Sequence, residues 1–168
     1  MLMKSGGKIM SAEEYRDSLR SYSPTVYVDG DLIESVADEP RLAPGIRAVG
    51  VTYDFAQKPE FGGVMLADQA SSGKTVNRML HINRHSEDLL SKLEAVRLLC
   101  RESGCAQRYL THDALNAIYQ STWRMADATA GSEYHGRFLD YLHDIQDRDL
   151  TLGVAMTDAK GERSKRPH

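Results

Sequence analysis

The sequence predicts a mainly α-helical domain with a small amino-terminal β-hairpin and an extended segment near its carboxy-terminal end. Three observations predict it. Apolar residues recur at three- and four-residue spacing through the stretches that follow Ala43, Ser86, Thr111 and Ser132. Asp29-Gly30 separates two short runs rich in β-branched residues, which is a hairpin signal. Leu150-Thr151-Leu152-Gly153-Val154-Ala155-Met156 has neither helical spacing nor a cap and reads as extended chain. With 168 residues, 41% hydrophobic and 27% charged, the chain has the size and composition of one soluble globular domain. Its formal charge of −3 lacks the basic surplus of a nucleic-acid binder, and no apolar run approaches the roughly 18 residues of a membrane span. MLMKSGGKIMSAEE has no apolar signal core. Cys100 and Cys105 cannot build a disulfide framework, so a cytoplasmic setting is expected.

The elements follow in chain order. Residues 1–10 are expected to be a disordered start. Ser11 with Glu14 three residues on is a capping box, so Ala12 to Arg20 is a short helix with Tyr15 and Leu19 on one face. Pro24 ends that region, and Thr25 to Val28 pairs with Asp31 to Ile33 across Asp29-Gly30. A helix begins at Ala43, with Pro44 in its first turn and Pro59 past its end; Ile46, Val49, Tyr53 and Ala56 form its apolar stripe. A connection rich in Gly and Ser follows, with a short strand or turn around Val64-Met65-Leu66. Ser86 caps a helix carrying Leu89, Leu90, Leu93, Val96 and Cys100 that ends near Gly104. A helix from about Thr111 to Ala130 carries Leu115, Ile118, Tyr119 and Met125. In the last, Ser132 to Arg148, residues Tyr134, Phe138, Tyr141, Leu142 and Ile145 share one side. The helical domain thus covers residues 11–149. Residues 150–168 then read as the start of a further β domain, since a strand emerging from a helical layer would be an unpaired edge.

Several segments invite chemistry. Gly73-Lys74-Thr75 resembles part of a phosphate-binding loop, but Asp68 stands where that loop needs glycine, and a helix start after a loop is the plainer reading. His81 and His85, four apart, could share a helix face as zinc ligands do; without Cys or Glu at ligand spacing they read as surface or boundary histidines. Lys160, Arg163, Lys165 and Arg166 form either an anion site or a solvated basic tail. Gly104 breaks the helix between Cys100 and Cys105. That leaves Cys105 near a helix start, where a thiol can be a ligand or nucleophile; buried structural cysteines are the plainer reading.

Motifs spread along the chain carry a resemblance. They are Tyr27-Val28-Asp29-Gly30, Thr52-Tyr53-Asp54-Phe55-Ala56-Gln57-Lys58-Pro59 and Gly73-Lys74-Thr75-Val76-Asn77-Arg78. Then come Cys105-Ala106-Gln107-Arg108, Asp113-Ala114-Leu115-Asn116-Ala117, and Ala155-Met156-Thr157-Asp158-Ala159-Lys160-Gly161-Glu162-Arg163. From Ser11 to Arg163 the chain resembles the amino-terminal part of the 4-hydroxyphenylacetate 3-hydroxylase family, above all its 4-hydroxybutyryl-CoA dehydratase branch. The resemblance implies an acyl-CoA-dehydrogenase-like fold: a helical amino-terminal domain, a middle β domain and a carboxy-terminal helical bundle, with FAD between them.

It further implies a flavoprotein oxidoreductase that either hydroxylates a phenol as a monooxygenase or performs dehydratase and isomerase chemistry on an acyl-CoA. Partners would be the remainder of the flavoenzyme or a full-length relative, a flavin reductase in the hydroxylase case, and further copies in a homo-oligomer; neither nucleic acid nor membrane is expected. By the same resemblance Ala155, Met156, Thr157, Asp158, Lys160, Gly161 and Glu162 would contact FAD, and Cys105, Arg108 and Tyr109 would line the active-site side. The dehydratase branch holds a [4Fe–4S] cluster partly through a Cys-x-x-x-Cys pair. Cys105 matches its first member, but Tyr109 stands at the second, and a phenol is a poor substitute for thiolate on iron, so a cluster is not expected. The hydroxylase branch's substrate-binding Arg and Tyr are not found at the matching positions, where Leu110 and Ala114 stand. Intact members are several-fold longer, so the chain reads as a front piece; the competing expectation is a non-catalytic remnant or helical interaction module.

Overall fold

The capping box forms as its sequence dictates. In the computed structural model, which describes residues 7–105, 107–128, 133–154 and 164–165, helix α1 spans Ala12–Arg20. The Ser11 hydroxyl accepts from the Glu14 N–H at 3.1 Å, and the Glu14 carboxylate accepts from the Ser11 N–H at 2.9 Å. Tyr15 is buried from this helix and stacks on Tyr53 at 5.1 Å between ring centroids. Of the residues expected to form a disordered start, 1–6 lie outside the described residues; among 7–10, Met10 is buried and the Gly7 N–H donates to the Thr75 carbonyl. Strands β1 (Val26–Val28) and β2 (Asp31–Ile33) pair antiparallel with Val26 opposite Ile33. Asp29 (φ 52°) and Gly30 (φ 90°) both take the left-handed backbone that a two-residue type I′ turn demands.

Helix α2 (Ala43–Gln57) carries Pro44 in its first turn. It lies against α1, where the Ala12 N–H donates to Asp54 at 2.9 Å. The connection beyond it differs from expectation. A 3₁₀ turn (Pro59–Phe61) and the short helix α3 (Gly62–Met65) lead into an antiparallel hairpin, β3 (Leu66–Gln69) and β4 (Lys74–Asn77). Lys74 and Thr75 therefore begin a strand, not a helix. The Thr75 hydroxyl donates to Asp68, its cross-strand partner, at 2.8 Å, so the carboxylate that spoils the phosphate-loop pattern serves the ladder. Tertiary burial decides this segment: Val76 and Asn77 are enclosed, and the buried Arg78 donates to the carbonyls of Gly63, Val64 and Leu66.

Three longer helices complete the fold: α4 (Ser86–Ser103), α5 (Tyr109–Ala128) and α6 (Glu133–Asp147). The cap of α4 is His85, not Ser86; Asp88 accepts from the backbone N–H groups of Arg84 and His85. Gly104, at φ 75°, closes α4 as its left-handed carboxy-terminal cap.

The core is organised in three clusters. Tyr15, Tyr53 and Met10 join α1 to α2. Phe55, Met65, Met79, Ala95 and Leu99 join α2, α3 and α4. Leu80, Ile82, Leu115, Phe138, Leu142 and Ile145 join α5 to α6. Not every periodic apolar residue faces inward. Leu89, Leu90 and Leu93 on α4, Ile118 and Met125 on α5, and Tyr134 and Tyr141 on α6 are exposed, because each helix meets the core along a narrower stripe than its apolar residues cover. After α6, Leu150 to Val154 run without a strand partner among the described residues.

Candidate functional site

The residues singled out between Cys105 and Tyr109 sit on the turn that starts α5, and the chain leaving α6 passes directly beneath them. Arg108 is only 1% exposed, and so is Asp149. Nη2 of Arg108 donates to the Asp149 carboxylate at 3.0 Å and to the Leu150 carbonyl at 2.9 Å. The guanidinium lies over the Tyr53 ring, with Cζ 4.5 Å from its centroid, and its Nε and Nη1 are buried without a hydrogen-bond partner. Asp149 accepts a second bond, from the Met10 N–H at 3.2 Å. Its backbone is left-handed (φ 48°), a conformation that Asp tolerates better than most residues and that this set of contacts holds.

The same passage is fixed residue by residue. The Tyr53 hydroxyl lies 2.9 Å from the Asp149 carbonyl, to which it donates, and 2.7 Å from the Thr151 hydroxyl. The Leu150 N–H donates to Ile145, and the Thr111 hydroxyl donates to the Leu152 carbonyl at 3.0 Å. Burial pushes the Tyr53 phenol up to about 12 although the Arg108 charge opposes it, so the hydroxyl remains a donor at neutral pH. A groove of about 270 Å³ opens between the first turns of α5 and this passage, lined among others by Gln107, Leu110, Thr111, Leu152 and Val154.

Arg108 is thus in the core and reaches the outgoing passage. Cys105 is half-buried, and its sulfur receives the Gln107 amide at 3.1 Å. Tyr109 is 39% exposed, with the Lys92 ammonium 5.8 Å from its ring centroid. Ala155, Met156, Thr157, Asp158, Lys160, Gly161 and Glu162 lie outside the described residues, as do Arg163 and Arg166. Neither cysteine is a buried structural thiol: Cys100 is exposed and Cys105 only partly covered. Cys105 and Tyr109 stand four residues apart, and among the described residues no group of three or more His, Cys, Asp or Glu is arranged for a metal ion.

Sequence reasoning missed Tyr53, Thr111, Asp149 and Thr151 as members of this arrangement. Their partners lie 41 to 98 residues away in the chain, and no local pattern announces them.

The histidines also fall differently from expectation. His81 is buried just after the 3₁₀ turn Arg78–Leu80, whereas His85 is exposed at the cap of α4, so they share no helix face. A second buried histidine, His112, donates from Nδ1 to the Arg78 carbonyl at 3.0 Å and leaves Nε2 unpartnered. Burial lowers it to about 4, so it is neutral at physiological pH.

Among solved structures, the chain aligns with the oxygen-tolerant archaeal 4-hydroxybutyryl-CoA dehydratase from N. maritimus at a TM-score of 0.86 and 38% identity, over 94% of this chain and 31% of the other. The oxygenase component of 4-hydroxyphenylacetate 3-monooxygenase shares the fold at a TM-score of 0.72 and 21% identity, over 94% of this chain and 33% of the other. That component has also been solved in complex with FAD and 4-hydroxyphenylacetate, where the alignment gives 0.65 and 20%. In sequence, the chain is 38% identical over 160 residues to the 4-hydroxybutyryl-CoA dehydratase/vinylacetyl-CoA-Delta-isomerase of Clostridium aminobutyricum, covering 95% of this chain and 32% of that protein. The chain therefore spans about a third of the length of the relatives it matches. The sequence profile described as 4-hydroxyphenylacetate 3-hydroxylase N terminal matches residues 11–168, and with the helical layers and core just described it places this chain in that family.

Proposed function

We propose that this chain is the amino-terminal domain of an FAD-dependent oxidoreductase whose remaining domains complete the flavin site. The observation that carries the reading is the 38% identity to a 4-hydroxybutyryl-CoA dehydratase across nearly the whole chain. The FAD complex of the more distant oxygenase with the same fold supports the choice of cofactor. In this reading the residues from Ala155 to Glu162 contact FAD. There Gly161 would admit close backbone approach, Lys160 would supply a positive charge for the pyrophosphate, and Thr157 and Asp158 would offer hydrogen bonds. Cys105 and Tyr109 border the active-site side at the start of α5. Bound FAD supplies the redox chemistry, while this chain orients it and shields one edge from water.

Tyr109 in place of a second cysteine favours cluster-free chemistry, although the chain is 38% identical to a 4-hydroxybutyryl-CoA dehydratase. A whole enzyme of this type would work as a homo-oligomer, and in the hydroxylase variant with a flavin reductase.

The test is to titrate FAD into the protein assembled with a carboxy-terminal portion of family length, and to measure bound flavin and iron together. Yellow protein with stoichiometric FAD and no iron is the expected result. Protein that stays colourless with FAD in excess would sink the flavin reading in favour of a non-catalytic remnant. Stoichiometric iron would sink the cluster-free part.

A further inference from the structure

Resting on that flavin reading, we propose that Arg108 and Asp149 are a positioning pair that fixes the chain leaving α6 ahead of the residues assigned to FAD, so that the start of α5 and residues 149–152 are held as one unit. The buried ion pair is the observation that carries it. Asp149 lies six residues before Ala155, and Arg108 lies between Cys105 and Tyr109, so one guanidinium ties the start of α5 to the chain that leads toward the residues assigned to FAD. Arg108 presents no exposed edge to a ligand: it is 1% exposed, its Nη2 is shared between Asp149 and the Leu150 carbonyl, its unpartnered Nε and Nη1 are buried, and Tyr53 covers its face. A role through other residues is therefore the one its geometry allows.

Each residue from Asp149 to Leu152 has its own tether. Asp149 is held by Arg108, Met10 and Tyr53, Leu150 by Arg108 and Ile145, Thr151 by Tyr53, and Leu152 by Thr111. The left-handed backbone at Asp149 turns the chain sharply, and a loosened carboxylate would change the direction in which the next residues leave. A buried ion pair is a weak device for stability, because desolvation offsets much of the attraction, but it fixes geometry through directed bonds. Arginine suits this better than lysine, whose point charge cannot serve a carboxylate and a carbonyl from a rigid fork.

The test compares wild type with R108K, D149N and the double variant R108M/D149N, all in the FAD-binding assembly. R108M alone would leave a buried carboxylate unpaired, whereas the double variant removes both charges, and Asn still tolerates the left-handed backbone. Two readouts are taken besides thermal unfolding: FAD affinity, and amide hydrogen exchange over residues 150–154. The expected result is a double variant that unfolds near the wild-type temperature yet binds FAD about tenfold or more weakly and exchanges faster over that passage. R108K would be intermediate, and it decides the matter if the double variant does not fold. Variants that lose thermal stability but keep wild-type FAD affinity and exchange would overturn the proposal, leaving the pair a packing feature. Wild-type protein that takes up no flavin refutes the flavin reading instead. The proposal then falls with the reading it rests on, whereas flavin-binding wild type with unaffected variants overturns the proposal alone.

Discussion

Tyr53 shows how much one side chain does here. Its ring is fully buried between Tyr15 and the Arg108 guanidinium, and its hydroxyl meets the Asp149 carbonyl and the Thr151 hydroxyl. Y53F keeps the ring and its stacking, so the apolar contribution survives. It leaves a buried carbonyl without its donor, for which a loss of about 1–2 kcal/mol is expected. Chemical denaturation at neutral pH measures this, and a variant as stable as wild type would show that water replaces the hydroxyl. The sequence marks Tyr53 as an inward residue through its spacing with Ile46, Val49 and Ala56. It is silent on the hydroxyl, whose partners arrive 96 and 98 residues later from the far end of the chain.

Between elements, the closest approach is the crossing of α1 on α2. A Cβ added at Gly50 would stand 3.0 Å from the Ala12 Cβ, tighter than nine in ten such contacts. Glycine there lets the first turn of α1 reach Asp54, which accepts from the Ala12 N–H. G50L therefore pushes the helices apart and breaks that bond, with an expected loss of about 2 kcal/mol, although leucine is the better helix former. A thermal midpoint at or above that of wild type would contradict this crossing. Elements with a local cause were the legible ones. Ser11 and Glu14 announce α1, Asp29-Gly30 announces the first hairpin, and Gly104 announces the end of α4. The second hairpin was not legible, because its four-residue strands are too short to show a period and their inward residues include Gln69 and Asn77, which look exposed in sequence. In the site, the stretch around Cys105 was visible as a motif, but the partner that anchors it, Asp149, carries no local mark among the charged residues at the end of α6.

At the scale of the molecule, the two larger core clusters meet at the turn Arg78–Leu80. Met79 enters one cluster, Leu80 enters the other, and His112 on α5 donates to the Arg78 carbonyl between them. Protonating His112 would place a cation at this junction, where its Nε2 has no acceptor and Lys92 lies near enough to oppose the charge; Asp113 favours it only weakly. The folded pKa of about 4 is below the ordinary value near 6.5, so between these limits the unfolded chain binds a proton that the folded chain refuses. Stability from this group is thus fully present above about pH 6.5 and is lost as pH falls towards 4, on the order of 3 kcal/mol over the whole window. His81, also lowered by burial, acts in the same direction. H112N replaces the Nδ1 donor to the Arg78 carbonyl with an amide and removes the titration. Urea midpoints at pH 7 and pH 5 should fall markedly for wild type and much less for H112N, with His81 accounting for a remainder. An equal fall in both proteins would move the acid sensitivity away from this junction. Because the turn serves both clusters, acid should unfold them in one transition, and two separated transitions at pH 5 would show that the clusters hold independently.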